Sequence, residues 1–421
     1  MRIALVSAKY IPAQLTGSEN LIKVFAEQLA AAGHDVTVLT SYIEENGGKG
    51  LRGEECVNGV HVRRFRMVRL GSLAAMLPRR AKPDVTPKPE ARPDGPPTIS
   101  PVGRWLASFS LIWLSWLLAP GLFAYLLRKR WDVVHVTPFP QTHVWIAARA
   151  ASLAGVPVVL TPAYHVLVQQ PVAWLLPVLG RMITRFAVST ERERLDLVEL
   201  GMEAARIETM PPGIACPSLA ELSGARFRTR YGIGAAPVVL FAGPPSFDKG
   251  YHHLVEAMQI VRRTRPDMML VKIGSSSQAG EGLSGPGFMD AGFLRTEAEK
   301  WDAFDACDML VMPSRCDSFG LVYVEAWLCG KPVIGARCGA IPWVIRDGVD
   351  GLLVPFGDTE AIAQAILQLA ADAALRQRFG QAGRKQAWEK YAAADVVRRL
   401  EGVYRAAMVA PAGADQRPAG G

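Results

Sequence analysis

The chain has 421 residues, 50% hydrophobic and 20% charged, the make-up of a globular protein of two or three domains rather than of a disordered or fibrous chain. Its formal charge of +8 favours an anionic partner, but no stacking aromatics are interleaved with basic residues on repeated strands, which argues against nucleic acid. The six cysteines are scattered without a C-x-x-C pair or zinc-like histidine spacing, and neither D-x-D nor H-E-x-x-H occurs, so the chain is read as metal-free and disulfide-free.

Arg2 to Ser7 is a short apolar strand. It is followed by a loop holding Gly17-Ser18-Glu19, a helix to Ala32 closed by Gly33, and a strand from Asp35 to Ser41. Strand, glycine-bearing loop, helix, strand is the start of a Rossmann-type parallel sheet, and the immediate opening strand with no secretory pattern points to the cytoplasm. After a strand at Val60 to Phe65, the chain is basic and then Pro-rich to Pro101, which reads as an irregular lid. Trp105 to Leu127 carries no charge and is followed by Arg128-Lys129-Arg130. Three readings stay open: a membrane span, a buried helix broken at Pro120-Gly121, and a helix in the membrane interface with Trp105, Trp113 and Trp116 at headgroup depth. The span is disfavoured because it would put parts of one sheet on opposite sides of a bilayer.

The sheet continues with Asp132 to Val136, a helix from about Gln141 to Ala154, Pro157 to Thr161, Arg185 to Thr190 and Arg206 to Met210. Residues from about Ala215 to Pro237 lack a sustained apolar run and read as a linker between residues 1–214 and a second Rossmann-like unit over 238–389. That unit opens with the strand Val238 to Gly243, a helix from Lys249 to Thr264 and the strand Met268 to Ile273. It continues through a Gly-rich loop to Gly287 and a helix from Thr296 to Ala306. Helices fill Thr359 to Ala394, a last helix runs to about Val409, and the Pro/Gly-rich tail 410–421 reads as disordered.

The most informative stretch is Met309 to Gly335, an apolar strand, a polar loop from Pro313 to Phe319, a short helix to Cys329 and a second apolar strand after Gly330-Lys331-Pro332. Asp317 and Glu325 stand eight residues apart around Phe319-Gly320-Leu321. Asp317 belongs to the loop, and Glu325 falls about two turns into the helix and leans back toward its N-terminus, so the two acids are expected to converge on one pocket. The free N–H groups opening the helix suit a phosphate, and Gly320 allows close approach.

This pattern resembles the E-x7-E signature of retaining, GT-B-fold members of glycosyltransferase family 4. The resemblance extends through Pro313-Ser314, Cys329-Gly330-Lys331-Pro332-Val333, Asp347-Gly348 and Gly351-Leu352-Leu353-Val354. It implies two Rossmann-like α/β domains with parallel sheets facing across a cleft, the last helix (390–409) crossing back onto the first. It also implies a nucleotide-sugar donor, such as a UDP- or GDP-sugar, held on the C-terminal domain without a metal or other cofactor. By resemblance Glu325 holds the ribose, Asp317 the donor sugar, and the backbone of Phe319, Gly320 and Leu321 with Lys249 the phosphates. Gly17 matches a glycine of the family's G-G-x-E loop, and His165 the histidine that contacts the donor sugar, with His135 and His143 as neighbours to which that role could belong. The acceptor is expected to be a lipid-linked or glycan precursor at the cytoplasmic membrane face.

Two departures stand out: Asp317 occupies a position where the family has Glu, and Pro244 replaces the arginine of the loop G-R-L-x-x-x-K-G. Arg181, Arg295, Arg315 and Lys272 are the cations that could fill in for it. A non-catalytic sugar-nucleotide sensor and a GT-B epimerase are the other readings that share these features.

Overall fold

The computed structural model describes residues 1–11, 17–42, 53–66, 119–165, 169, 172–215, 218–274, 285–294 and 296–409. The basic and Pro-rich segment beyond residue 66, the apolar run up to residue 118, Arg295 and the tail from Ala410 lie outside these residues. The chain divides into two compact units, one of residues 1–187, 196–208 and 400–421, the other of residues 188–195 and 209–399.

The first unit is built on β1 (Arg2–Val6), α1 (Gly17–Ala31), β2 (Asp35–Ser41), β3 (Glu54–Val57), β4 (Val60–Phe65), α2 (Pro120–Arg128), β5 (Val133–Val136) and α3 (Thr142–Leu153). It continues with β6 (Val158–Leu160), α4 (Leu175–Gly180), β7 (Arg185–Val188), α5 (Glu191–Glu199) and β8 (Ile207–Thr209). The strands form one sheet in the order β3-β4-β2-β1-β5-β6-β7-β8, parallel from β4 to β7, with β3 antiparallel to β4. All four residues of β5 are buried, the mark of a parallel strand covered on both faces.

The second unit holds α6 (Gly224–Arg230), β9 (Val238–Ala242), α7 (Tyr251–Thr264), β10 (Met269–Ile273), β11 (Phe288–Gly292), α8 (Glu297–Ala306) and β12 (Met309–Met312). It goes on through α9 (Leu321–Leu328), β13 (Val333–Ala336), β14 (Gly351–Val354), α10 (Thr359–Ala371), α11 (Ala373–Tyr391) and α12 (Ala393–Val409). Its sheet is parallel throughout, in the order β11-β10-β9-β12-β13-β14. In chain order this is 3-2-1-4-5-6, so the direction of winding reverses between β9 and β12, and the crevice at such a switch point is where open α/β sheets hold ligands.

The structure differs from the sequence reading in several places. The segment read as a linker carries α6, fastened to α8 because the buried Asp302 takes the Arg226 guanidinium and the Ser223 N–H, and Asp305 the Gly224 N–H. The helices expected over Thr359 to Ala394 meet at Asp372, whose carboxylate accepts from the Leu375 N–H and so caps α11. Of the apolar run the described part starts at Ala119, and a helix begins at Pro120, with Pro at a position where its missing N–H costs nothing. Leu122 and Leu126 of α2 are buried, and the Arg63 guanidinium lies 4.3 Å from the Tyr125 ring centre. No helix among the described residues is long and apolar enough to cross a membrane. From Leu400 on, α12 belongs to the first unit: Tyr404 Oη lies 2.7 Å from His135 Nδ1, and Glu401 Oε1 lies 3.0 Å from His34 Nε2.

Candidate functional site

The loops that leave β9 and β12 meet at the switch point of the second sheet. After β9 the chain turns through Gly243 to Gly250, the left-handed residue that precedes α7, with φ 69°. A side chain at Gly250 would run into the Pro313 carbonyl, so the loop after β9 packs backbone to backbone on the start of the loop after β12. The Asp248 carbonyl accepts from the Arg315 N–H at 2.9 Å and from Ser314 Oγ at 3.1 Å, which stitches the two loops together.

This stitching brings Lys249 to Asp317. The Lys249 ammonium donates to Asp317 Oδ1 at 2.5 Å and to the Cys316 carbonyl at 3.3 Å. The other carboxylate oxygen, Oδ2, is buried with no hydrogen-bond partner among the described residues. Such an oxygen is costly to leave unmet and is suited to a hydroxyl donor from a ligand. Burial pushes the Cys316 thiol up to about 11, so this residue stays a thiol and is no nucleophile at neutral pH.

Gly320 opens α9 with φ 85°, and a side chain there would come within 2.5 Å of the Tyr323 ring. Tyr323 in turn donates its hydroxyl to the Met312 carbonyl at 2.6 Å, tying the first turn of α9 to the end of β12. Burial, with Asp317 nearby, holds the Tyr323 phenol well above its ordinary range, which keeps it a neutral donor. Phe319 is buried edge-on against Tyr391, with ring centres 5.2 Å apart. Because α9 starts at Leu321, Glu325 is its fifth residue, in the second turn rather than two full turns in. Its Oε1 accepts from the Lys300 ammonium at 3.1 Å, and Lys300 also reaches Glu297 at 2.8 Å. Burial pulls the Lys300 ammonium down, but Glu325 and Glu297 outweigh it and raise Lys300 above its ordinary value. Lys300 was not a sequence candidate: it sits inside a helix with no motif around it, and Glu297 three residues before it was the only signal.

Among the cations considered in place of Pro244, Arg295 lies outside the described residues, and Lys272 and Arg315 pair with other carboxylates. Lys272 is buried and donates to both Asp290 oxygens, at 2.9 and 2.8 Å. The Arg315 guanidinium holds Asp248 at 2.8 Å and lies over the Phe247 and Phe356 rings, and Arg181 is an exposed residue of the first unit. The His252-His253 pair stacks into the same aromatic group, with His252 4.6 Å from the Phe247 ring centre. No group of three or more metal-binding side chains occurs among the described residues.

Two sequence candidates belong to the first unit. Gly17 is the exposed first residue of α1, so Ser18 lies inside the helix instead of capping it. His165 follows β6 on a backbone held by Gln169, whose Oε1 accepts from the His165 N–H at 2.5 Å, two residues after the left-handed Ala163 (φ 49°). His135 and His143 are committed to the interior. His135 is held between Tyr404 Oη and Thr161 Oγ1, and burial holds its imidazole down at about 3. His143 Nε2 donates to the Thr137 carbonyl at 2.7 Å, and burial lowers its basicity too.

Two family models match the chain, one described as a glycosyl transferase 4-like domain over residues 16–213, the other as glycosyl transferases group 1 over residues 236–372. A D-inositol 3-phosphate glycosyltransferase of Xylanimonas cellulosilytica is 32% identical over 304 residues, which are 63% of this chain and 70% of the relative. The chain belongs to glycosyltransferase family 4. A relative of the same description from Saccharomonospora viridis is 30% identical over 71% of this chain and 69% of its own length. Among solved structures, the glycosyltransferase shares its fold with the Anabaena protein HepE in complex with UDP and glucose, at TM-score 0.71 and 17% identity over 96% of this chain and 99% of the other. It shares it equally with the sucrose-phosphate synthase of Thermosynechococcus elongatus, at TM-score 0.72 and 21% identity over 96% and 98%. The architecture is therefore the GT-B one, two Rossmann-like α/β units with parallel sheets.

Proposed function

We propose that this glycosyltransferase binds a nucleotide sugar on its second unit and transfers the sugar, with retention of anomeric configuration, to an acceptor hydroxyl. The observation that carries this reading is the Lys249–Asp317 contact at 2.5 Å, with a buried Asp317 oxygen unmet, next to a helix that starts at Gly320. Structural neighbours in complex with UDP and with UDP-glucose support the donor class.

In this reading Lys249 and the N–H groups of Phe319, Gly320 and Leu321 hold the diphosphate, Asp317 a donor-sugar hydroxyl and Glu325 the ribose hydroxyls. The bond from the anomeric carbon to the β-phosphate oxygen breaks, and a bond from the same face to the acceptor oxygen forms. The acceptor proton passes to the leaving phosphate, whose growing charge Lys249 and the helix N-terminus stabilise. In this reading the Lys249 ammonium and the N–H donors of the helix N-terminus do the work a metal ion would otherwise do. His165→Ala tests the share of the first unit in the same turnover.

The acceptor class we propose is a lipid-linked or glycan precursor at the cytoplasmic membrane face. Support comes from the uncharged run 105–127 and the exposed Arg128, Lys129 and Arg130 that end it, a pattern suited to anionic headgroups. A second reading, a soluble polyol phosphate, is favoured by the description of the relatives. Incubation with radiolabelled UDP- and GDP-sugars, plus either a membrane extract or inositol 3-phosphate, separates them by whether label enters the lipid or the soluble fraction. Binding without turnover in both arms would contradict a transferase and favour a sensor, and release of free sugar without acceptor would favour an epimerase. Trp113→Glu with Trp116→Glu should reduce co-sedimentation with anionic liposomes, and undiminished sedimentation would remove the membrane contact.

A further inference from the structure

Glu325 does not stand alone in its part of the second unit. Lys300, from α8, holds Glu325 Oε1 at 3.1 Å while its ammonium also contacts Glu297 at 2.8 Å, and the Lys300 and Glu325 side chains are only 26% and 13% exposed. The platform under Lys300 is rigid. Asp302 and Asp305 of α8 bind α6, the Arg228 guanidinium donates to the Ala306 carbonyl at 2.6 Å, and Gly224 packs so closely on Ala306 that a side chain there would approach the Ala306 nitrogen to 2.7 Å. Beside Lys300 in sequence, Trp301 is buried. On the other side, α9 is pinned by Tyr323 at its start and by Trp327, whose indole N–H donates to the Asp350 carbonyl at 2.8 Å.

We propose that Lys300 is a positioning residue: it holds the Glu325 carboxylate as a pre-aimed acceptor for the two ribose hydroxyls of the donor nucleotide. The proposal rests on the ribose role given to Glu325 above. Two neighbouring hydroxyls need two acceptor sites, and an ionised carboxylate offers about four lone pairs, so one ammonium contact leaves enough for both. A free glutamate would lose rotamer freedom on binding, whereas one already tied to a fixed lysine loses little.

The alternative is a strap that only joins α8 to α9. Calorimetry on the full chain distinguishes the two, with UDP or GDP, whichever binds the wild type more tightly, and its 2′,3′-dideoxy counterpart. Lys300→Met should weaken binding of the ribonucleotide about tenfold and that of the dideoxy form less than twofold, and Lys300→Arg should restore most of the loss. In Glu325→Gln the Lys300→Met change should have little further effect. Equal weakening for both nucleotides would overturn the positioning role and support the strap. Unchanged ribonucleotide binding in Lys300→Met, with Glu325→Gln impaired, would overturn the proposal while keeping the ribose reading. Unchanged binding in Glu325→Gln would overturn both.

Discussion

Two lysine–carboxylate pairs serve the two acids of the signature, and they are built on different ground. Lys249–Asp317 joins two loops, one ending in the left-handed Gly250 and the other in the left-handed Gly320. Lys300–Glu325 joins two helices, each fastened to neighbours along its length. The side chains are similarly shielded, between 13% and 26% exposed, so burial does not separate the pairs; the backbone beneath them does. A pair on loops can open and close around a reacting phosphate and sugar, while a pair on helices presents one fixed face. On the function proposed above, turnover would fall to the first pair and recognition to the second.

The largest expected effect is on the loop pair. Asp317→Ala should lower transfer at least ~10²-fold with the melting temperature nearly unchanged, a loss of the size seen when one polar partner of a transition state is removed. Activity close to wild type would take Asp317 out of the site. On the helix pair, Glu325→Ala should weaken nucleotide binding by roughly tenfold or more in calorimetry, with a smaller change in the rate at saturating donor. If the rate at saturation fell and affinity held, the two pairs would have exchanged roles. Gly320→Ala should cost about 1–3 kcal/mol of stability, because φ is 85° there and Tyr323 fills the space. An unshifted denaturation curve would mean that the loop start tolerates a side chain. The smallest effect is expected from chelation: with Lys249 and the helix N-terminus carrying the leaving-group charge, EDTA should alter the rate less than about twofold. A large loss restored by a divalent ion would contradict that division of labour.

Much of this was legible in the chain. Apolar runs such as Val238–Ala242 and Met309–Met312, punctuated by glycines, mark parallel strands, and the spacing of Asp317, Gly320 and Glu325 marks the helix start. Elements that lack such runs were not. β3 (EECV) and β11 (FMDAG) are half-exposed edge strands whose pairing, not their composition, makes them strands. The helix α6 is hidden by its arginines, because it is held by Asp302 and Asp305, 76 to 81 residues away in sequence. Lys300 was invisible for the same reason: its partner Glu325 is 25 residues on, in another helix. The family resemblance could name Lys249 and Asp317 separately, but only the order of the strands in the sheet shows why their loops must meet.

The most direct measurement is a double-mutant cycle on kcat/KM with Lys249→Met, Asp317→Asn and the double variant, using whichever sugar donor the wild type turns over. If the two residues act as one unit on the departing diphosphate and the sugar, the double variant will be about as slow as the slower single variant. Losses that simply multiply would show that the 2.5 Å contact joins two residues that work independently, and would contradict the account.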